Sequence, residues 1–326
     1  MLGAHQNKYR LRGWQVIALR WLAALLVLAV LLHFLPWEQL KDSVRRVPLT
    51  RFAVILAGYL LAHAVGSMKW RMVVNAAGAQ LDYSTSVECY AGGLFATLFL
   101  PSIIGGDVVR LAVGLRRSPN PAAVLAGNIA DRFLDVLAQV ALVGIGLILL
   151  PGSVPAALRS QAQKVVLVSA IGAVVVAVAA VFLHGPLLRG RSFRFRRRVA
   201  RLQFALRTVS RKPHVLFLGW LLGTGIQTTF VTLTALLAIS CGLFLPLRVW
   251  FFAWPLAKLA AVLPLTQGGI GVREAALVVL LSPFGTPGPL VLAAGLVWEG
   301  VVIVGGLAAG LIAFLLRRSG DASVAD

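Results

Sequence analysis

Eight stretches of 17 or more residues in the 326-residue chain contain no Asp, Glu, Lys or Arg: 21–37, 52–68, 89–106, 136–158, 165–188, 213–247, 275–298 and 300–316. A bilayer's hydrocarbon core is about 30 Å thick and takes about 20 apolar residues per helix. No water is available there for unpaired backbone groups, so a lone apolar stretch can cross only as a helix. Composition agrees: 59% of residues are hydrophobic and 13% charged, against about 25% charged in an ordinary globular domain. The expectation is an all-α polytopic membrane protein with one transmembrane domain over residues 1–318 and a disordered tail over 319–326.

The formal charge is +20, from 31 basic and 11 acidic residues. A nucleic-acid binder spreads such charge over a soluble surface, whereas here the basic residues fill short gaps between apolar runs, so no nucleic-acid partner is expected. Cys89 and Cys241 both lie in apolar stretches, which offers neither a disulfide framework nor a thiolate metal site. The five histidines lack metal-binding spacing. No metal or cofactor is expected, and with no Walker motif any energy for transport would come from a gradient, the membrane potential or lipid consumption.

Lys8, Arg10, Arg12 and Arg20 precede the first apolar stretch as in a signal peptide, but no small-x-small cleavage site follows at His33-Phe34-Leu35-Pro36-Trp37, so an uncleaved anchor helix is predicted. With the N-terminus in the cytoplasm, twenty Lys and Arg fall inside, Lys69 and Arg71 among them. Seven fall outside, and Arg110, Arg132, Lys258 and Arg273 fall at membrane depth. This orientation closes, with both termini cytoplasmic, only if 83–115 starts and ends inside and 246–284 starts and ends outside. Both segments are broken by proline and paired glycines, as backbone is where it lines a protein cavity. About six crossings and two re-entrant hairpins follow.

The breaks are related to each other. Leu100-Pro101-x-x-x-Gly105-Gly106-x-x-Val109-Arg110 returns 163 residues later as Leu263-Pro264-x-x-x-Gly268-Gly269-x-x-Val272-Arg273. Crossing, hairpin and crossing also repeat, over about 51–150 and 213–316. Hairpins opening to opposite sides make these halves inverted repeats, an arrangement typical of transporters. The plainer reading is a duplicated helix-breaking turn, since proline and glycine break helices whatever their purpose. It leaves unexplained the arginine kept beside an acid in each copy, Asp107 for Arg110 and Glu274 for Arg273.

A charge near the bilayer centre costs about 2.5–3.5 kcal/mol on insertion scales and persists mainly when paired or needed. Arg110, Arg132 and Arg273 are the candidate ligands for phosphate, because guanidinium is always charged and presents a planar fork of donors. Half-helices starting after Gly105-Gly106 and Gly268-Gly269 would aim backbone N–H groups at the same cavity. Asp107, Asp131 and Glu274 would orient the arginines, with Asp135, Lys258 and Glu299 in secondary places. Asp107 and Arg110 share a helix face, as do Asp131 and Asp135, while Arg132 points about 100° away. The alternative is that these groups only neutralise one another. No loop holds paired acids or a His–acid pair, so no catalytic residue is assigned. The basic loop 185–212 interleaves arginine with Phe193, Phe195 and Phe204 between Arg189 and Lys212; it is either an amphipathic helix on the anionic inner leaflet or a determinant of orientation. Trp70, Trp250 and Trp254 fall near predicted interfaces, as in an aromatic belt.

At Leu100-Pro101 through Gly105-Gly106-Asp107-Val108-Val109-Arg110, at Asp131-Arg132-Phe133, and at Pro264 through Gly268-Gly269-Ile270-Gly271-Val272-Arg273-Glu274, the chain resembles the lysylphosphatidylglycerol synthase transmembrane family. The resemblance implies a flippase-like domain of a bacterial inner (plasma) membrane, with Asp107, Arg110, Asp131, Arg132, Arg273 and Glu274 carried over as site residues. Only eight residues follow Arg318, so the aminoacyl-transferase domain of the bifunctional enzyme is expected to be absent and no synthase activity is expected. The resulting expectation is a stand-alone translocator of an anionic or phosphate-bearing lipid. Its alternatives are an integral-membrane enzyme acting on a lipid-linked sugar or phosphate, or a non-catalytic accessory that recruits a lipid-modifying enzyme. A second copy of the chain is a further candidate partner.

Overall fold

In a computed structural model the described residues are 42, 45–100, 102–150, 152, 154–182, 192–261 and 271–322. They form ten α-helices and no strand: α1 Leu49–Ala76, α2 Tyr83–Thr97, α3 Ser102–Arg117, α4 Pro121–Leu149, α5 Ala156–Phe182, α6 Phe193–Ser210, α7 Pro213–Ser240, α8 Leu247–Ala260, α9 Val272–Leu281 and α10 Gly288–Ala322. The helix starts are written in the sequence. Pro121 and Pro213 open α4 and α7, where the missing N–H costs nothing. Asp82 and Asn120 accept from Thr85 N–H and Ala123 N–H to cap α2 and α4.

Among the described residues four helices, α1, α4, α7 and α10, are long and apolar enough to cross a membrane. They carry the predicted crossings at 52–68, 121–150, 213–241 and 287–316. The predicted crossing at 21–37 lies outside the described residues. The 27-residue α5 covers 165–182 of the crossing expected at 165–188, and the rest lies outside the described residues. Exposed apolar side chains such as Leu61, Val168, Phe217 and Leu311 cover the outer faces, as suits a protein whose solvent is lipid.

Three expectations change. Helix α1 runs to Ala76, so Lys69 and Arg71 lie in a helix rather than in an inside loop, and Lys69 is 3% exposed. Trp70, Trp250 and Trp254 are buried in the core, not at a belt. Helix α10 continues to Ala322, into the stretch expected to be tail, since extending a formed helix gains a hydrogen bond for each residue fixed.

Contacts fix the helix directions. Arg51 Nη1 donates to Ser240 Oγ at 2.9 Å, Gly58 packs on Leu233 and Gly219 on Val73, so α1 and α7 are antiparallel neighbours. Helix α4 runs with α7, Leu134 meeting Gly219 and Ala138 meeting Gly223, and α10 runs with α1, Gly300 meeting Phe52 and Gly305 meeting Tyr59. The feet of the α2–α3 hairpin come together: Ser118 Oγ donates to Ala79 O at 2.6 Å, so the chain leaves α1 and enters α4 at one end of the bundle.

The packing of one half is matched in the other. α1 and α7 each span 28 residues, and six residues separate each from the next helix, α2 or α8. Exchanging α1 with α7, α2 with α8, α3 with α9 and α4 with α10 turns each of the main packing contacts among these eight helices into another that exists: α2–α3 into α8–α9, α2–α10 into α8–α4, α4–α7 into α10–α1, α1–α4 into α7–α10, α1–α2 into α7–α8, and α3–α4 into α9–α10. The amphipathic α6 lies outside this set. It buries Ala205, Leu206 and Val209 against the end of the bundle where Val73, Val74 and Ala123 sit, leaving Phe193 and Phe204 exposed.

Candidate functional site: a charged cavity between the hairpins

A cavity of about 500 Å³ opens between α1, α2, α3, α4, α7 and α8. Helix α4 supplies its main wall. Asn128, Asp131, Arg132, Asp135 and Gln139 recur at three- and four-residue steps, which places them on one side of the helix. Gly127 lets that side approach α1, since a Cβ there would run into Val74.

Lys69 reaches from α1 to two of these carboxylates, lying 2.9 Å from Asp131 Oδ1 and in contact with Asp135 Oδ1. Arg110 comes from α3. Its Nη2 lies 2.6 Å from Asp107 Oδ1, 3.3 Å from Asn128 Oδ1 and 3.9 Å from Asp131 Oδ2, and its guanidinium sits between the rings of Trp70 at 5.4 Å and Tyr90 at 5.2 Å. Trp70 Nε1 donates to Asn128 Oδ1 at 3.1 Å. Arg132 does not stay turned away. Its long arm folds back to Asp107, Asp131 and Asp135 at 3.4, 3.1 and 2.8 Å, with the side chain 39% exposed. Lys258 enters from α8 and donates to the neutral Gln227 Oε1 at 2.9 Å beside the Phe230 ring. Among the described residues no carboxylate lies within ion-pair distance of Lys258.

Lys69, Arg110, Arg132 and Lys258 therefore face Asp107, Asp131 and Asp135, leaving one positive charge over. Arg110 Nε and Gln139 Oε1 are also buried there without a hydrogen-bond partner. A buried polar atom left so costs about 1–3 kcal/mol.

The glycine pair serves differently from expected. Helix α3 already starts at Ser102, so Gly105 and Gly106 lie inside it rather than ahead of it. Glycine within a helix costs only about 1 kcal/mol against alanine and need not end it. What Gly106 provides is proximity. Its backbone rests on Gly93 of α2, whose carbonyl a Cβ would strike, and this brings Arg110 next to Tyr90. Gly268 and Gly269 lie outside the described residues. Helix α9 is capped instead by Gly271, whose φ of 84° suits glycine.

Arg273, Glu274 and Glu299 do not line this cavity; they form a second, drier cluster. Arg273 Nη2 lies 2.6 Å from both Glu274 Oε1 and Glu299 Oε1. Gly271 N–H donates to Glu274 Oε2 at 2.7 Å, and Trp254 carries the Arg273 guanidinium on its ring at 5.2 Å. Aromatic rings stand between the clusters. Phe230, beside Lys258, packs on Trp298 at 6.1 Å, and Trp298 meets Trp254 at 5.1 Å and Tyr59 at 5.9 Å.

Lys69, His63, Tyr90, Gln139 and Gln227 are cavity residues that sequence reasoning did not single out. Lys69 carried a signal, being a lysine at an apolar interval's edge, at a place where two aspartates on a neighbouring crossing needed a cation.

These features define a polytopic all-helical membrane protein with a charged cavity between two hairpin-bearing halves. The family model for the transmembrane region of lysylphosphatidylglycerol synthase matches residues 17–310, most of the chain, and the protein belongs to that family. No curated protein and no solved structure matches it. The family gives the protein a membrane, lipid-related role.

Proposed function

We propose that the protein translocates a lipid with an anionic or phosphate-bearing head group across a bacterial inner membrane, without making or breaking bonds in it. The observation that carries this reading is the extra cation of the cavity, Lys258, which faces a neutral amide rather than a carboxylate. A phosphate would pair with it, and with the unpartnered N–H of Arg110, while the acyl chains stay in lipid. The exchange of contacts between halves, with α1 antiparallel to α7, supports inverted repeats and a site that each side reaches in turn. Basic α6 packs at the same end as the feet of the first hairpin, which supports a cytoplasmic placing of that end and of both termini. There its arginines and exposed phenylalanines suit an anionic leaflet.

The test is leaflet-resolved transport of labelled phosphatidylglycerol in proteoliposomes, with thermal stability measured alongside. Asp107→Asn with Arg110→Gln removes a buried pair together, which folding often tolerates; the expected result is a folded protein without transport. Lys258→Gln should lower transport about tenfold or more, the effect of a 1.4 kcal/mol loss. Full transport by the folded double variant would reduce the cluster to a packing device.

A further inference from the structure

The charged groups at membrane depth balance in total but not in place. Lys69, Arg110, Arg132, Lys258 and Arg273 are five cations, and Asp107, Asp131, Asp135, Glu274 and Glu299 are five carboxylates. The cavity keeps one cation too many and the Arg273 cluster one carboxylate too many. The two imbalances meet on one face of α8: Trp254, which carries Arg273, stands one helical turn before Lys258. Aromatic rings lie between them, so charge at one end is weakly screened from the other.

The two carboxylates on Arg273 are not equivalent. Glu274 accepts three N–H groups, from Gly271 N at 2.7 Å and from Arg273 Nε and Nη2 at 3.1 and 2.6 Å, and its side chain is fully buried. Glu299 accepts one, from Arg273 Nη2 at 2.6 Å, and its side chain is 10% exposed. Both oxygens of Glu274 are therefore engaged. Glu299 keeps an oxygen that no hydrogen bond among the described residues engages, and enough access to exchange a proton.

We infer that Glu299 is a proton-binding site coupled to the cavity: an anion arriving at Lys258 is accompanied by a proton taken up on Glu299, so that the two move together. This rests on the reading of the cavity as an anion site. The physical reason is neutrality. With the ten groups balanced, a bound monoanion adds an uncompensated charge in a low-dielectric region, and the least engaged carboxylate is where a proton removes it. By linkage, anion and proton each favour binding of the other. The other titratable or charged groups on the elements packed about Glu299 are Arg273 and Glu274 on α9, Tyr59 and His63 on α1, Lys258 on α8 and Tyr90 on α2; α7 offers only neutral side chains there. Of these, His63 is the rival proton carrier.

The experiment uses the full chain in nanodiscs of a zwitterionic lipid and a short-chain phosphatidylglycerol as probe, a phosphodiester whose charge is constant near neutral pH. Proton uptake is read with an indicator dye in weak buffer, and affinity is measured across pH. The expected result is uptake of up to one proton per anion bound, affinity that weakens up to about tenfold per pH unit raised, and a gain of the infrared band of a protonated carboxyl. Glu299→Gln should bind the probe with no uptake and little pH dependence. His63→Gln, whose ring lines the cavity, should leave the uptake per anion bound intact whatever it does to affinity. If the wild type binds the probe without proton uptake, the coupling is wrong and the anion site stands. If it binds no probe, the anion-site reading and this inference fall together. Uptake that survives Glu299→Gln, or anion binding without uptake in His63→Gln, also overturns the assignment. Should Glu299→Gln fail to fold, the wild-type uptake and infrared band decide the matter.

Discussion

Arg110 and Arg273 occupy the same place in the two copies of one motif, each stacked 5.2 Å from an aromatic ring of the preceding helix, Tyr90 or Trp254. Their surroundings have diverged. Arg110 stands in a cavity with three carboxylates and two further cations within ion-pair reach of those acids, the buried Lys69 and the 39%-exposed Arg132. Arg273 is shared by two carboxylates in a closed setting, one of them fully buried. The scaffold thus holds an arginine on the second helix of each pair, and the neighbours decide whether it meets a ligand or a lock. A network open on one side can lose or exchange a partner to an incoming group. A closed one admits no such ligand, and the change left to it is a proton on Glu299, the less engaged of its two carboxylates.

That contrast predicts where substitutions hurt. Arg273→Ala would leave two carboxylates facing each other without their cation, and stripping one partner from a buried pair costs about 3–5 kcal/mol; thermal unfolding in detergent should show it as the largest loss of stability in the series. A loss of under about 1 kcal/mol would mean that the second cluster is not closed. Gly295→Ala sets a methyl 2.7 Å from Glu274 Cγ, in a carboxylate pinned by three N–H groups. Overpacking of this kind costs about 1–3 kcal/mol, so the unfolding temperature should fall by less than for Arg273→Ala. Arg132→Gln comes last. Its side chain is 39% exposed, and exposed ion pairs contribute less than about 1 kcal/mol, so stability should barely move while proteoliposome transport drops. A stability loss equal to that of Arg273→Ala would erase the distinction between the two regions.

Much of this was legible before any coordinates. Charge-free intervals located α1, α4, α7 and α10 because lipid tolerates few charges, and the i, i+3 spacing of Asp107 and Arg110 gave an ion pair that the structure contains. The same interval rule ended α1 too early. It stops at any charge, whereas Lys69 is held inside the helix by carboxylates 62 and 66 residues away, a relation that no window along the chain can register. Arg132 escaped for a related reason: helix geometry fixes where its Cβ points, and the flexible side chain then reaches back to Asp135. Gln227, Gln139 and Tyr90 had no signature, since neutral polar groups are common in membrane helices and only the cavity gives these a shared purpose. The glycine pair was read as the bend because glycine permits bending. Permission is not compulsion, and here the residue was needed for its lack of a side chain.

Helices α4 and α7 point the same way, which constrains the chain between them. It leaves α4 at Leu149 on one side and begins α7 at Pro213 on the other, so the linker must travel back through the bilayer. Helix α5, 27 residues long and so about 40 Å at 1.5 Å per residue, is the described element able to make that journey. The matter is one of parity. An odd number of passes between two copies of a unit turns the second upside down; an even number would lay both the same way up, with both short helix pairs entering from one face. By this count α5, which contributes no charged group to either cluster, is what turns a tandem duplication into the two-faced arrangement proposed for transport.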